Sequence, residues 1–296
     1  MRLIASNYTK VNEQLGLSYS GNYHHNDGFF TNLHTHKKAD KLDNGAGRIG
    51  LTWKPAAHWT TRFITSYEYS NQGGYPYGLY NADKGTTEAV NYNNEGLYRR
   101  NLLTSGINIR YNGPHISFNS QTSYQYIQDK MGIDQDFSPR NIFYGQNKIR
   151  QHMYCQEFTV KSVNKSRYHW ITGAFVFRQT INRKVDLSRF TDTTRHLTNS
   201  GIPTQGIAFY HQSTLDLLQG LSCSVGLRYD YEHARCDFSK VQQPLNGNGE
   251  TKSLEQFNRS LHFGQFTPRF SMQYLSSHNQ LFYASVSKGY KAGGFN

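Results

Sequence analysis

The sequence predicts an all-β fold, an antiparallel transmembrane β-barrel meander present as a partial barrel of about twelve strands. Three observations carry that prediction: a polar chain rich in aromatic rings, apolar residues at every second position, and connections that alternate between short and long. Only 36% of the 296 residues are hydrophobic, yet 22 are Tyr and 18 are Phe, and mean hydropathy is −0.73. Such a chain is too polar for a large soluble core and too aromatic for disorder. In a membrane barrel only alternate residues of each strand face lipid, the others face a polar lumen, and aromatic girdles mark both interfaces. No run approaches the ~18 consecutive apolar residues that a spanning helix needs.

Strands are expected near 2–10, 14–23, 46–54, 58–69, 99–111, 115–127, 147–162, 167–180, 205–217, 221–232, 261–275 and 280–290. Period-two patterning defines them. Leu15, Leu17, Tyr19 and Tyr23 alternate with Gln14, Ser18, Ser20 and Asn22, and Trp59, Phe63, Tyr67 and Tyr69 with Thr60, Arg62, Ser66 and Glu68. Ile116, Phe118, Tyr124 and Tyr126 oppose Ser117, Asn119, Gln121 and Gln125 in the same way. The clearest case is Leu221 to Glu232, where Leu221, Cys223, Val225, Leu227, Tyr229 and Tyr231 suit lipid, and Ser222, Ser224, Gly226, Arg228, Asp230 and Glu232 suit water. A helix would scatter these residues around its circumference.

The connections fix the topology. Short ones stand at Val11-Asn12-Glu13, Pro55-Ala56-Ala57, Asn112-Gly113-Pro114, 163–166, Leu218-Gln219-Gly220 and 276–279, and long ones near 24–45, 70–98, 128–146, 181–204 and 233–260. Short periplasmic turns alternating with long extracellular loops are the pattern of bacterial outer-membrane barrels. A soluble sandwich has no reason to put every long loop at one end.

Net charge is +12. Without any KH, RRM, zinc-finger or helix-turn-helix pattern, that excess reads as lumen lining and lipopolysaccharide-facing loops, not as nucleic-acid binding. Cys155, Cys223 and Cys236 are odd in number and lack ligand spacing, so neither a disulfide framework nor a metal site is expected, and no cofactor is implied. The start Met1-Arg2-Leu3-Ile4-Ala5-Ser6 lacks the charged region and apolar core of a secretory signal. An exported barrel with this start is expected to be a truncated chain.

The C-terminal string YASVSKGYKAGGFN, residues 283–296, resembles a strand-and-loop segment of TonB-dependent outer-membrane receptors. GLRYDYEH at 226–233, TPRFSMQY at 267–274 and Asp27-Gly28-Phe29-Phe30-Thr31-Asn32 are similar to other barrel segments of that family. The resemblance covers most of the chain, sharply at its C-terminal end. It implies a barrel of about 22 strands in the outer membrane of a Gram-negative bacterium, plugged by an N-terminal domain. It also implies a small-molecule ligand taken up with energy from an inner-membrane TonB complex: a siderophore first, with cobalamin, haem or glycan behind it. On this reading residues 1–296 are all receptor barrel, and the plug, the TonB-contacting segment and the last strands lie outside the sequence. Phe282, Ala284 and Val286 are expected to face lipid, and Ser285 and Ser287 the lumen.

Candidate site residues are few. Tyr75, Tyr77, Tyr80 and Tyr92 in the second long loop offer rings on which a catecholate or sugar can stack, although girdle or loop packing explains such rings as well. His24, His25, His34 and His36 cluster without the spacing of a metal site and read as solvated loop residues. Asp134, Asp136, Glu157, Asp230 and Glu232 form no paired pocket for acid–base catalysis, and no nucleophile elbow is visible. An enzyme is therefore not expected; a barrel enzyme or a passive porin is the alternative to a receptor.

Overall fold

A computed structural model describes residues 1–164 and 166–295. Its strands are β1 (Arg2–Lys10), β2 (Leu15–Asn26), β3 (Leu42–Trp53), β4 (Trp59–Gly73), β5 (Tyr80–Asn81), β6 (Thr86–Thr87), β7 (Leu97–Asn112), β8 (Ile116–Asp134), β9 (Phe143–Ser162), β10 (Tyr168–Arg189), β11 (Thr194–Leu218), β12 (Leu221–Pro244), β13 (Lys252–Leu275) and β14 (Leu281–Ser287). All but β5 and β6 form one 12-stranded antiparallel meander, and those two make a separate small hairpin between β4 and β7. There is no helix among the described residues. β1 and β14 each pair on one side only, so the sheet is not closed.

The tight turns lie where the sequence places them. In the first, Asn12 accepts the N–H groups of Gln14 and Leu15 at 2.9 Å, an Asx turn that supplies partners the ladder lacks. In the fifth, Gly220 adopts φ +79° and a Cβ there would run into the Leu275 carbonyl, so only glycine closes that hairpin.

The register puts the predicted faces on opposite sides. Ser224, Gly226 and Arg228 lie across from Thr214, Gln212 and Tyr210, and Glu157, Arg228 and Arg269 line the concavity there. The outward set is apolar and bare: Val225 is 57% exposed, Leu227 50% and Phe266 55%. A bare apolar surface of this extent belongs in lipid, where its exposure costs nothing. Phe282 and Val286 continue it across β14.

The upper ends of the strands differ from expectation. Segments 181–204 and 233–260, expected as loops, are mostly ladder: β10 runs to Arg189 and β11 starts at Thr194, while β12 runs to Pro244 and β13 starts at Lys252. β11 alone has 25 residues, about 80 Å of strand at ~3.3 Å per residue, against the ~10 residues a crossing needs. At the other end, the strand expected over 280–290 stops at Ser287.

Candidate functional site

Two surfaces on the long-loop side and the inner wall concentrate polar and aromatic groups. The inner wall is built by alternation alone. Arg62 of β4, Arg110 and Asn108 of β7, Asn119 and Gln121 of β8, and Lys161, Thr159 and Glu157 of β9 line one concavity of about 1000 Å³. Further round, the Tyr210 hydroxyl donates to Glu157 at 2.9 Å and lies 2.8 Å from the Thr159 hydroxyl, while the Arg228 guanidinium sits 5.8 Å above its ring. Arg228 also grips Asp230 through two nitrogens at 2.7 to 3.0 Å. The wall holds its charges in place with hydrogen bonds and presents donors to whatever fills the lumen.

The second surface is the rim above β2 to β8, where three loops lock together. Asn32 of loop 27–41 is buried; its side-chain amide donates to the Tyr92 carbonyl at 2.8 Å and its oxygen accepts the Tyr92 N–H at 3.2 Å. Asp134, at the end of β8 and 2% exposed, accepts the N–H groups of Asn94, Asp136 and Phe137. Asp136 in turn accepts those of Ser138, Ile142 and Phe143. Burial and the Asp136 carboxylate beside it push the Asp134 carboxyl up, whereas Asp136, against its own burial, is held low by Asp134 and by its backbone donors. Gly74 and Gly96 close the base of this cluster, since a Cβ on either would meet the backbone of the other.

This frame sorts the four candidate tyrosines. Tyr75 and Tyr77 stand exposed with ring centroids 5.7 Å apart, and Phe137 extends the row at 5.1 Å from Tyr77. Phe137 is held at φ +50°, a conformation its N–H bond to Asp134 supports. Tyr80 stands apart on the β5–β6 hairpin, exposed to solvent, and Tyr92 is buried, lining one small cavity with Tyr75, Tyr77 and Phe137. Of the clustered histidines, His25 sits between Asp43 at 2.7 Å and Asp27 at 2.9 Å. Among the described residues no group of three or more His, Cys, Asp or Glu is arranged to hold a metal ion. Phe137, Asn32 and the Tyr210–Glu157 pair escaped the sequence reading. The run Asp134-Gln135-Asp136-Phe137-Ser138-Pro139 carries an Asx-turn signal that marks a built loop, but nothing in it says which strand partners meet.

Comparison with known proteins accounts for this architecture. The chain matches the ferric yersiniabactin uptake receptor FyuA from Yersinia pestis with a TM-score of 0.84 at 14% identity, covering 100% of this chain and 45% of that one. It matches the open form of the ferric-catecholate import receptor Fiu from E. coli with a TM-score of 0.73 at 10% identity, over 97% of this chain and 52% of that one. A third match, at 0.72 and 9% identity, is the siderophore receptor PiuA from Acinetobacter baumannii, over 96% of this chain and 46% of that one. The chain thus spans about half the length of these structures, and the likeness concerns the fold. The family described as TonB dependent receptor-like, beta-barrel matches residues 61–296. The chain belongs to the TonB-dependent receptor β-barrel family.

Proposed function

We propose that this chain is the barrel portion of an outer-membrane receptor of a Gram-negative bacterium that imports a scarce ligand with energy delivered by TonB, and that an iron–siderophore complex is the leading cargo. Family membership supports the receptor class. The observation that carries the ligand reading is the Tyr75–Tyr77–Phe137 row, exposed at its two tyrosines and fixed on a rim of interlocked loops. Rigid aromatic faces bind flat, aromatic or sugar-like ligands at small entropic cost. Tyr80 stands apart from that row on its own hairpin, and Tyr92 shares one small cavity with it. The likeness in fold to proteins named as siderophore receptors points the same way.

The open sheet supports the domain reading. In lipid each unpaired backbone group costs several kcal/mol, so the free edges of β1 and β14 are paired in the membrane by further strands, and residues 1–296 act as part of a larger closed barrel. The test is uptake of a radiolabelled ferric siderophore by iron-limited cells with and without an uncoupler. Energised import predicts accumulation that the uncoupler abolishes and that Tyr75→Ala with Tyr77→Ala reduces. Passage indifferent to the uncoupler would make the protein a passive channel.

A further inference from the structure

The cavity that Tyr92 shares with Tyr75, Tyr77 and Phe137 contains a polar group that the interlocked loops do not use. Tyr92 is 3% exposed, and among the described residues no partner reaches its hydroxyl. Its backbone is pinned on both sides, since the Asn32 side chain takes both the Tyr92 N–H and the Tyr92 carbonyl. A buried hydroxyl without a partner carries the full cost of its lost hydration, and native folds seldom keep one.

The other polar groups around the cavity are committed or out of reach. Asp134 borders it, but each of its oxygens already accepts two N–H groups: those of Asn94 N and Nδ2 at 3.1 and 3.3 Å, and those of Asp136 and Phe137 at 3.2 and 2.9 Å. A carboxylate offers about four lone-pair positions, so none remains. Tyr98 turns its hydroxyl to Asp129 at 3.3 Å, and Gln72 does not come within hydrogen-bond distance of Tyr92.

The remaining wall is bare backbone at Gly74, Gly96 and Gly132. A Cβ on Gly74 would lie 2.6 Å from the Gly96 Cα, and one on Gly132 would lie 2.3 Å from the Tyr144 hydroxyl, so no side chain can be added there to fill the space. That space is about 10 Å³, room for one water or one oxygen substituent.

Size, charge and position describe the occupant. Tyr75 and Tyr77 are exposed and border the cavity, so a flat ring stacked on them can turn one substituent into it. A carboxylate has two oxygens and a charge that the Asp134 carboxylate repels. An aliphatic group leaves the Tyr92 hydroxyl unpaired. A single hydroxyl or carbonyl oxygen fits the space and completes the hydrogen bond. Given the Tyr75–Tyr77–Phe137 row as the ligand contact, on which this rests, we infer that the cavity seats one uncharged ring-borne oxygen of the cargo, with Tyr92 as its hydrogen-bonding partner. The site thereby selects a ring that carries a free hydroxyl or carbonyl over one that does not.

The test measures dissociation constants by calorimetry on the complete receptor in detergent. Its probes are the ferric complex of a catechol carboxamide, the ferric complex of catechol, which lacks the carbonyl, and maltotriose, whose free oxygens are sugar hydroxyls. Tyr92→Phe removes one oxygen and keeps the ring. It should weaken the carboxamide complex, or maltotriose where the oxygen comes from a sugar, about three- to tenfold, and leave the catechol complex unchanged. Equal affinity of Tyr92→Phe and the parent for both the carboxamide complex and maltotriose overturns the assignment. Equal weakening of both ferric complexes also overturns it, because the hydroxyl would then act through the packing of the row. Tyr75→Ala with Tyr77→Ala tests the underlying reading and should weaken every probe that binds. A parent that binds none of the probes sinks that reading and the inference together, whereas losses in the double variant with no effect of Tyr92→Phe keep the row as the ligand contact and overturn the cavity alone.

Discussion

The lower and upper halves of the β12–β13 hairpin carry the same alternation with opposite sign. Below Tyr231 the outward residues are Val225, Leu227 and Tyr229 with Phe266 and Phe270 opposite, and the inward ones are Ser224, Arg228 and Asp230. Above it the outward residues become Arg235, Asp237 and Ser239 with Asn258 and Ser260, while the inward ones become Ala234, Cys236 and Phe238 with Phe257 and Leu261, interrupted only by Arg259 opposite Cys236. Ala234 and Cys236 are buried, whereas Val225 and Leu227 are half bare. The stacked His233 and His262 rings, 4.5 Å apart, lie at the changeover. One continuous ladder thus passes through two solvents: lipid wants the apolar face outside, and water above the membrane wants it inside.

A charge placed on the outward face at two heights separates the two solvents. Leu227→Arg puts a guanidinium near mid-membrane and should cost about 2–4 kcal/mol, whereas Ser239→Arg, above the changeover, should cost about 0–1 kcal/mol. The heat-modifiable, membrane-integrated fraction at equal expression reads the difference, and equal losses would mean that no solvent boundary crosses the hairpin. A smaller effect should follow from Phe238→Ala. Phe238 stacks on Phe257 at 4.8 Å with planes 10° apart, a contact worth about 1 kcal/mol. Amides 234–240 should then exchange faster with no loss of membrane integration; a drop in integration would place Phe238 inside the membrane.

The loop cluster above β8 offers a contrast to this ladder, because there carboxylates and not strands satisfy the backbone. Asp134, with its pKa raised, stabilises the folded loop fully below the ~3.9 of a free carboxyl and loses that contribution as pH climbs through its folded value. Asp136, with its pKa lowered, contributes above ~3.9 and loses it as pH falls through its folded value. Hydrogen-exchange protection of amides 135–143 should therefore peak in the acid range where the pair holds one proton, and decline modestly toward neutrality. Asp134→Asn should flatten the neutral side. A parent profile already flat there would show that the pair does not titrate.

Within the membrane the fold was legible because period two coincides with one strong rule, apolar outward. The face assignments for β2, β4, β8, β12 and β14 and the placement of every short turn follow from it. Above the membrane the rule reverses, so Ile181, Val185 and Leu187 against Asn182, Lys184, Asp186 and Ser188 is a clean strand pattern that reads as loop when only the lipid-facing sign is sought. The site was legible less far. Tyr75 and Tyr77 are close in sequence and meet, but Phe137 joins them only through the fold, and Asn32 reaches Tyr92 across 60 residues. Sequence spacing contains no information on which loops interlock.

Spin labels show whether neighbouring residues of one strand face different solvents. In a protein whose Cys155, Cys223 and Cys236 are replaced by serine, labels are attached singly after Ser224→Cys, Val225→Cys, Leu227→Cys and Arg235→Cys, and their collisions with oxygen and with a water-soluble nickel chelate are measured in vesicles. Val225 and Leu227 should collide mainly with oxygen, which concentrates in lipid, and Ser224 and Arg235 mainly with the chelate. Indistinguishable accessibility at Ser224 and Val225 would contradict the assigned faces and, with them, the register of the barrel.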